Sequence, residues 1–178
     1  RKDSGDWFFD FCKEVKQLSK KNCEALIGTE VKILNLQGDL DLNDNFSSKC
    51  DLIMASVHRF PGETSEDFKK KDNYSPDLIL KTEFELMMAA LENPKMDILG
   101  HPFGMSLKRF GLRPNDSMFN DVINMCAKKN KIFEINCRYH PNPKYLINQC
   151  IKKDSKISLG SNAHSKDELG RIIEKIKS

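Results

Sequence analysis

The sequence predicts one α/β domain whose strands pair in parallel, and three observations carry that prediction. Apolar stretches of strand length alternate with amphipathic helical patterns along all 178 residues. Each of the five predicted strands is followed by a helix or a long connection, which implies right-handed crossovers between parallel strands. The run at 52–57 is almost continuously apolar, which is typical of a strand covered on both faces.

The first half of the chain supplies a helix, two strands and a second helix. The first helix is predicted over 6–26, with Phe8, Phe11, Val15 and Leu18 at helical spacing. A second helix should begin after Ser75, since proline and aspartate follow at favourable first positions. It should bury Leu86, Met87, Ala90 and Leu91 and end at Asn93-Pro94. All five strands are predicted at 31–36, 52–57, 96–99, 131–137 and 156–159.

Three further helices alternate with the later strands. The helix after the third strand has a complete apolar face, formed by Phe119, Val122, Ile123, Cys126 and Ala127. The helix opened by Asn142-Pro143 should bury Leu146, Ile147, Cys150 and Ile151. A capping box, Ser165-x-x-Glu168, should start the last helix. Its predicted buried residues are Leu169, Ile172, Ile173 and Ile176.

The composition indicates a globular chain with a weakly charged surface. Hydrophobic residues make up 39% and charged residues 31%, and the net charge is +3. No apolar run approaches the roughly 18–20 residues that span a bilayer, and the N-terminus has no signal-peptide pattern. The six cysteines form no C-x-x-C pair, which favours reduced thiols. We therefore expect a cytoplasmic protein without a membrane segment.

Histidines follow three of the predicted strands. His58, His101 and His164 each lie just past a strand's carboxyl end, where catalytic groups collect in α/β folds. Glu30 lies at the start of the first strand region, and the fourth strand ends with a glutamate and an asparagine. Imidazole and carboxylate suit zinc, manganese or iron. A barrel would aim these groups at one axis, so the pattern favours a barrel and a metal site.

Five short segments occur in the order and rough spacing of motifs of the polymerase and histidinol phosphatase (PHP) family. They are Gly28-Thr29-Glu30, Ser56-Val57-His58, Gly100-His101-Pro102, Phe133-Glu134-Ile135-Asn136 and Gly160-Ser161-Asn162-Ala163-His164. The chain resembles that family from about Gly28 to Ser165 and the final helix. The resemblance implies one partial PHP-type domain over 1–178, a distorted barrel with five of the usual seven parallel strands visible.

The resemblance also implies an activity and a ligand set. It implies a metal-dependent phosphoesterase that hydrolyses a small phosphate monoester through a metal-bridged hydroxide on two or three divalent ions. Glu30, His58, His101 and His164 match metal ligands, the histidines being catalytic through the metal, and Asn162 falls where the family usually has a ligating aspartate. Glu134 and Asn136 match a strand-end motif and are expected to support the ligands. Arg59 and Arg138 are expected to grip the phosphate.

Two departures from the family keep other functions open. The family's opening H-x-H motif would lie upstream of Arg1, and an amide at Asn162 ligates more weakly than a carboxylate. A degenerate, non-catalytic module acting as a scaffold, or as part of a larger polymerase-associated assembly, is therefore the alternative. Direct nucleic-acid binding is disfavoured, because the lysines at 69–71 precede an aspartate and no basic, aromatic groove pattern is present. An open sheet edge would favour self-association or a partner chain.

Overall fold

A computed structural model describes residues 6–18, 23–64, 66–67 and 74–177, and alternates helices with strands. The strands are β1 Gly28–Lys32, β2 Leu52–Ser56, β3 Ile98–Leu99, β4 Ile132–Asn136 and β5 Lys156–Gly160. The α-helices are α1 Asp6–Gln17, α2 Asp44–Ser47, α3 Pro76–Leu91, α4 Asp116–Lys128, α5 Pro143–Lys152 and α6 Arg171–Lys177. A π-helix, Met105–Phe110, and a 3₁₀ turn, Lys166–Glu168, complete the described elements.

The five strands form one parallel sheet in the order β1-β2-β3-β4-β5. The pairing aligns their carboxyl ends, since Lys32 pairs with Ser56, and Asn136 pairs with Gly160. Side chains and loops that follow the strands therefore meet at one edge of the sheet. The predicted α/β class and parallel pairing are confirmed.

Helices α3 and α4 cover the sheet through the faces that the sequence predicts. Leu86, Met87 and Val122 are completely or almost completely buried in the main core. Ser75 caps α3 by accepting a hydrogen bond from the Leu78 amide at 3.3 Å, and Pro76 occupies the first turn. Local capping and apolar periodicity agree here, so these two helices were predictable from sequence.

The first helix and strand differ from prediction. α1 ends at Gln17; part of its predicted extension, 19–22, lies outside the described residues, and 23–27 is not helical. Asp51 explains the extended segment, because its carboxylate accepts from the Ile27 amide at 2.8 Å and aligns the chain for β1. β1 runs over Gly28–Lys32 rather than 31–36, so Glu30 lies in its middle. Leu34 and Leu36 are exposed in the turn that follows.

The predicted C-terminal helix is two elements. Gly170 has φ 80°, a left-handed conformation that separates the 3₁₀ turn from α6. Ser165 makes no side-chain cap, and Glu168 instead accepts from the His164 amide at 2.6 Å. Ile172 is buried, and Ile176 packs against the core, as predicted. Leu169 and Ile173 are exposed because the break rotates them out of the predicted stripe.

Two smaller expectations concern α5 and the cysteines. Ile151 is 68% exposed, so the apolar face of α5 ends with Leu146 and Cys150, which are buried. All six cysteines are free, and Cys12, Cys126 and Cys150 are buried. Within the part of the chain that the structure describes, no helix is both long enough and apolar enough to span a membrane.

We expect Ile123→Ala to lower the free energy of unfolding by about 2–5 kcal/mol, because it opens a cavity in the core. Ile123 is fully buried, whereas Ile151 on α5 is 68% exposed. Ile151→Ala is therefore the matched control and should change stability by about 0.5 kcal/mol or less. Urea denaturation measures both; equal losses would contradict the burial of the α4 face.

Candidate metal centre

Two histidines and a glutamate converge at the carboxyl-end edge of the sheet. Nε2 of His101 lies 3.1 Å from Oε1 of Glu30, and Nε2 of His58 lies 3.3 Å from the same oxygen. Glu30 comes from β1, while the histidines follow β2 and β3, so parallel pairing brings them together. His101 is buried, whereas the side chains of His58 and Glu30 are 36% and 42% exposed. The cluster is therefore open to solvent on one side.

Hydrogen bonds orient the Glu30 carboxylate and keep it ionised. Hydrogen bonds from His101 and then His58 hold its pKa well below the usual range, against the effect of partial burial. The buried Ser56 hydroxyl donates to Glu30 Oε1 at 2.7 Å. Gly100 leaves room for that hydroxyl, because a Cβ there would lie 2.1 Å from Ser56 Oγ. Ser56 was not among the predicted site residues, although it belongs to one of the quoted motifs.

A buried carboxylate from β4 fixes the backbone of His101. His101 has φ 29°, an unfavourable value for a non-glycine residue. Its amide donates to Oε2 of Glu134 at 2.6 Å, and the Asn136 side-chain amide donates to Oε1 at 3.0 Å. Burial raises the pKa of Glu134, and both hydrogen bonds oppose that rise. Glu134, itself held by Asn136, thus fixes the backbone of His101.

Gly160, at the end of β5, makes space for the Glu134 carboxylate. A Cβ at position 160 would lie 1.9 Å from Glu134 Oε1, far inside contact distance. Even alanine would therefore displace the carboxylate that holds the His101 amide. The Gly100 and Gly160 positions of the motifs are explained by close approach of side chains rather than by turn geometry.

His140 is a buried structural link beneath the site. Its Nδ1 accepts a hydrogen bond from the backbone amide of Asn136 at 3.0 Å. The proton therefore lies on Nε2, which donates to the Pro102 carbonyl at 2.9 Å. Burial lowers the pKa of His140 to about 4. The Lys175 ammonium donates to the carbonyls of Cys137 and His140. The neutral imidazole therefore joins the β4 end to the loop that carries His101.

A cavity of about 300 Å³ adjoins the two histidines. Tyr139 forms one wall, and its ring stacks on that of His101 with centroids 4.3 Å apart and planes at 17°. The π-helix forms another wall. Glu83 of α3 holds the start of the π-helix by accepting from the amides of Met105 and Ser106 at 2.9 and 2.7 Å. Neither Tyr139 nor Glu83 was predicted from the sequence. A glutamate on the apolar face of α3 could have indicated that Glu83 is buried with a polar partner.

Two of the remaining predicted site residues, Asn162 and Arg138, lie at a second cavity. Asn162 and Arg138 line a cavity of about 440 Å³ with Glu168, and the Arg138 guanidinium is 3.7 Å from the Glu168 carboxylate. His164 is exposed, and its Nδ1 lies 3.0 Å from the backbone carbonyl oxygen of Asn162. Arg59, next to His58, is exposed. Within the described residues, His164 is not part of the cluster of Glu30, His58 and His101.

The cluster fits a divalent transition metal. One donor atom from each of the three residues can be chosen so that all lie within 4.8 Å of one another. Two ligands of a tetrahedral zinc ion lie about 3.4 Å apart at bond lengths of roughly 2.0–2.1 Å, close to the separations of the two Nε2 atoms from Glu30 Oε1. Two histidines and one glutamate also form the donor set of several catalytic zinc sites, which keep a coordination position open.

Comparisons with known proteins point to phosphatases. No protein-family model matches the chain. The chain is 28% identical over 185 residues to a probable phosphatase of Thermoanaerobacter sp. (strain X514), covering 96% of this chain and 64% of the relative. It is 29% identical over 177 residues to a probable phosphatase of Clostridium acetobutylicum, covering 93% and 62%. The chain thus spans less than two thirds of the length of these curated relatives.

A solved structure shares the fold. It is histidinol phosphate phosphatase from Lactococcus lactis subsp. lactis, complexed with zinc, L-histidinol and phosphate. The TM-score is 0.61 at 16% sequence identity, with 98% of this chain and 73% of that chain covered. This likeness confirms the predicted fold class, an α/β architecture of the kind found in that phosphatase.

We expect Gly160→Ala to destabilise the chain by about 1–3 kcal/mol, because the new methyl group collides with Glu134. It should also weaken zinc binding about tenfold or more, since Glu134 supports His101. The matched control is Gly28→Ala on β1, where the nearest non-bonded atom to a Cβ would be 3.4 Å away. Urea denaturation and competition with a chromogenic chelator measure the two effects. Equal behaviour of both variants would remove the role given to Glu134.

Acidification should weaken the fold through His140. Burial lowers the pKa of His140 from the ordinary value of 6.5 to about 4. Between these two pH values the unfolded chain binds a proton on this imidazole that the folded chain does not bind. The free energy of unfolding should therefore fall by about 3 kcal/mol as pH drops through this window. The slope should flatten in His140→Gln and persist in His164→Gln, whose histidine is exposed. Denaturation midpoints at several pH values test this; an unchanged slope in His140→Gln would disprove it.

Proposed function

We propose that the chain is a metal-dependent phosphatase that hydrolyses a small phosphate monoester. The observation that carries the proposal is the approach of His58 and His101 Nε2 to one oxygen of Glu30 at the strand ends. The phosphatase names of the relatives and the zinc-bound histidinol phosphate phosphatase of similar fold support it. The cavity of about 300 Å³ beside the histidines suits a small molecule rather than a polymer.

Glu30, His58 and His101 would hold the ion. A divalent cation there would supply Lewis-acid stabilisation of the charge that develops on the phosphoryl oxygens. Glu30 contributes a carboxylate that stays ionised and offsets part of the metal charge. His101 is fixed from behind by Glu134, so its imidazole keeps its direction while substrate binds. His58, more exposed, lies on the side from which substrate can approach.

The other predicted site residues would also take part in the proposed reaction. Asn162 and His164 would serve a further ion, which the resemblance implies and which would need ligands beyond Glu30, His58 and His101. Arg138 would reach phosphate from the neighbouring cavity, where Glu168 at 3.7 Å offsets part of its charge. Arg59 would contribute from its exposed position after His58. Zinc, manganese and iron all suit this ligand chemistry.

A degenerate scaffold is the second candidate, favoured by one observation. His164, which the resemblance makes a ligand, is exposed and turned toward the Asn162 carbonyl. With the amide of Asn162 beside it, this part of the site offers a weaker ligand set than a carboxylate would. A scaffold could retain one ion at Glu30, His58 and His101 without turning over a phosphate ester.

The deciding experiment combines elemental analysis with release of inorganic phosphate from a panel of small phosphate monoesters. Glu30→Gln should lower zinc affinity at least about tenfold and abolish chelator-sensitive turnover, because it removes the anionic ligand. Glu85→Gln is the matched control, since its side chain is 44% exposed, against 42% for Glu30, and lies on α3. Stoichiometric zinc with no turnover on any monoester would contradict the phosphatase and favour the scaffold.

A further inference from the structure

The wall of the cavity beside His58 and His101 is a π-helix with a fixed position. Within Met105–Phe110, the buried Glu83 carboxylate holds the first two amides. Near the other end, Arg109 forms a salt bridge with Glu63 at 2.8 Å, and both side chains are at least nine-tenths buried. Such π-helical turns are rare and occur frequently at functional sites. The π-helix is therefore held at both ends against the candidate site.

The two cationic side chains that line this cavity, Arg109 and Lys108, differ in whether a carboxylate pairs with them. Arg109 lines the cavity, but its positive charge is offset by Glu63. Burial raises the pKa of Glu63, but the hydrogen bonds from Arg109 and the Phe60 amide, together with the Arg109 charge, hold that pKa below the usual range. Lys108 also lines the cavity and is exposed. Its ammonium has no hydrogen bond or ion pair with any other residue in the described parts of the chain. Among the described residues that line the cavity, Lys108 therefore supplies a positive charge without an ion-pair partner next to His58 and His101.

We propose that Lys108 binds the phosphate group of the substrate in this cavity. The inference rests on the proposed phosphatase function and adds to it a phosphate-binding residue that sequence analysis did not single out. An ammonium group is a compact point charge that suits the oxygens of a phosphate monoester. Lys108 shares its cavity with His58 and His101, whereas Arg138 lies in the neighbouring cavity with Glu168.

The residues that line the cavity agree with phosphate binding at Lys108. Val57, Met105 and Tyr139 supply apolar or aromatic surface beside the histidines, and no carboxylate is among the described residues that line the cavity. An anionic phosphate is thus attracted to the end with Lys108 and the histidines, while the alcohol part packs on Tyr139 and Met105. The substrate class is a phosphate monoester with a small, largely uncharged alcohol.

The test measures binding of inorganic phosphate to the zinc-loaded chain by isothermal titration calorimetry. Lys108→Ala should weaken phosphate binding about tenfold, and Lys108→Arg should retain most of the affinity, because one charge-assisted hydrogen bond is lost or kept. Lys144→Ala, at an exposed position of α5, is the matched control and should bind as the parent chain does. Zinc content by elemental analysis should be equal in all four proteins.

Each outcome decides the proposal. Parent-like affinity in Lys108→Ala, an equal loss in Lys144→Ala, or no phosphate binding by the parent chain would overturn it. Turnover of p-nitrophenyl phosphate separates this inference from the proposed function. Lys108-dependent phosphate binding without turnover would contradict hydrolysis and leave the role of Lys108 standing. Turnover with a KM that is unchanged in Lys108→Ala would support hydrolysis and contradict the role of Lys108.

Discussion

The geometry of the candidate site depends on one buried carboxylate, that of Glu134. Burying an ionisable group is costly unless it is hydrogen-bonded, and Glu134 meets that requirement with the His101 amide and the Asn136 side chain. These contacts join the loop after β3 to β4, and the space left at Gly160 brings in β5. Three neighbouring strand ends thus share one polar contact. Its position dictates where the His101 imidazole can point.

The strain at His101 follows from this arrangement. A φ of 29° is sparsely populated for a residue with a side chain and persists only where the surroundings impose it. Glu134 holds the amide, Tyr139 stacks on the ring, and His140 holds the following carbonyl of Pro102. With the backbone of His101 held on both sides, its Nε2 lies 3.1 Å from Oε1 of Glu30. The contacts with Glu134, His140 and Tyr139 therefore set the direction of the His101 imidazole.

Local patterns predicted four of the five strands, the main helices and the strand-end histidines, and tertiary contacts decided the rest. Ile123 and Leu86 were predictable because helical periodicity alone places them on a buried face. Glu83 and Ser56 act through partners 22 and 26 residues away, which periodicity does not reveal. The capping box at Ser165 failed because Glu168 found the His164 amide instead and Gly170 broke the helix. The metal-ligand roles of Glu30, His58, His101, Asn162 and His164 and the phosphate-binding roles of the two arginines stay predictions.

Exposure across the cluster indicates from which side the site can be extended. The side chain of His101 is 7% exposed, that of His58 36% and that of Glu30 42%, so exposure rises from β3 toward β1. Within the described residues β1 has β2 as its only strand neighbour. An additional group can therefore reach Glu30 from the β1 side or from the solvent beyond the strand ends. The Lys108 cavity lies beside the histidines, so the proposed phosphate and an additional group at Glu30 would occupy different sides of the same cluster.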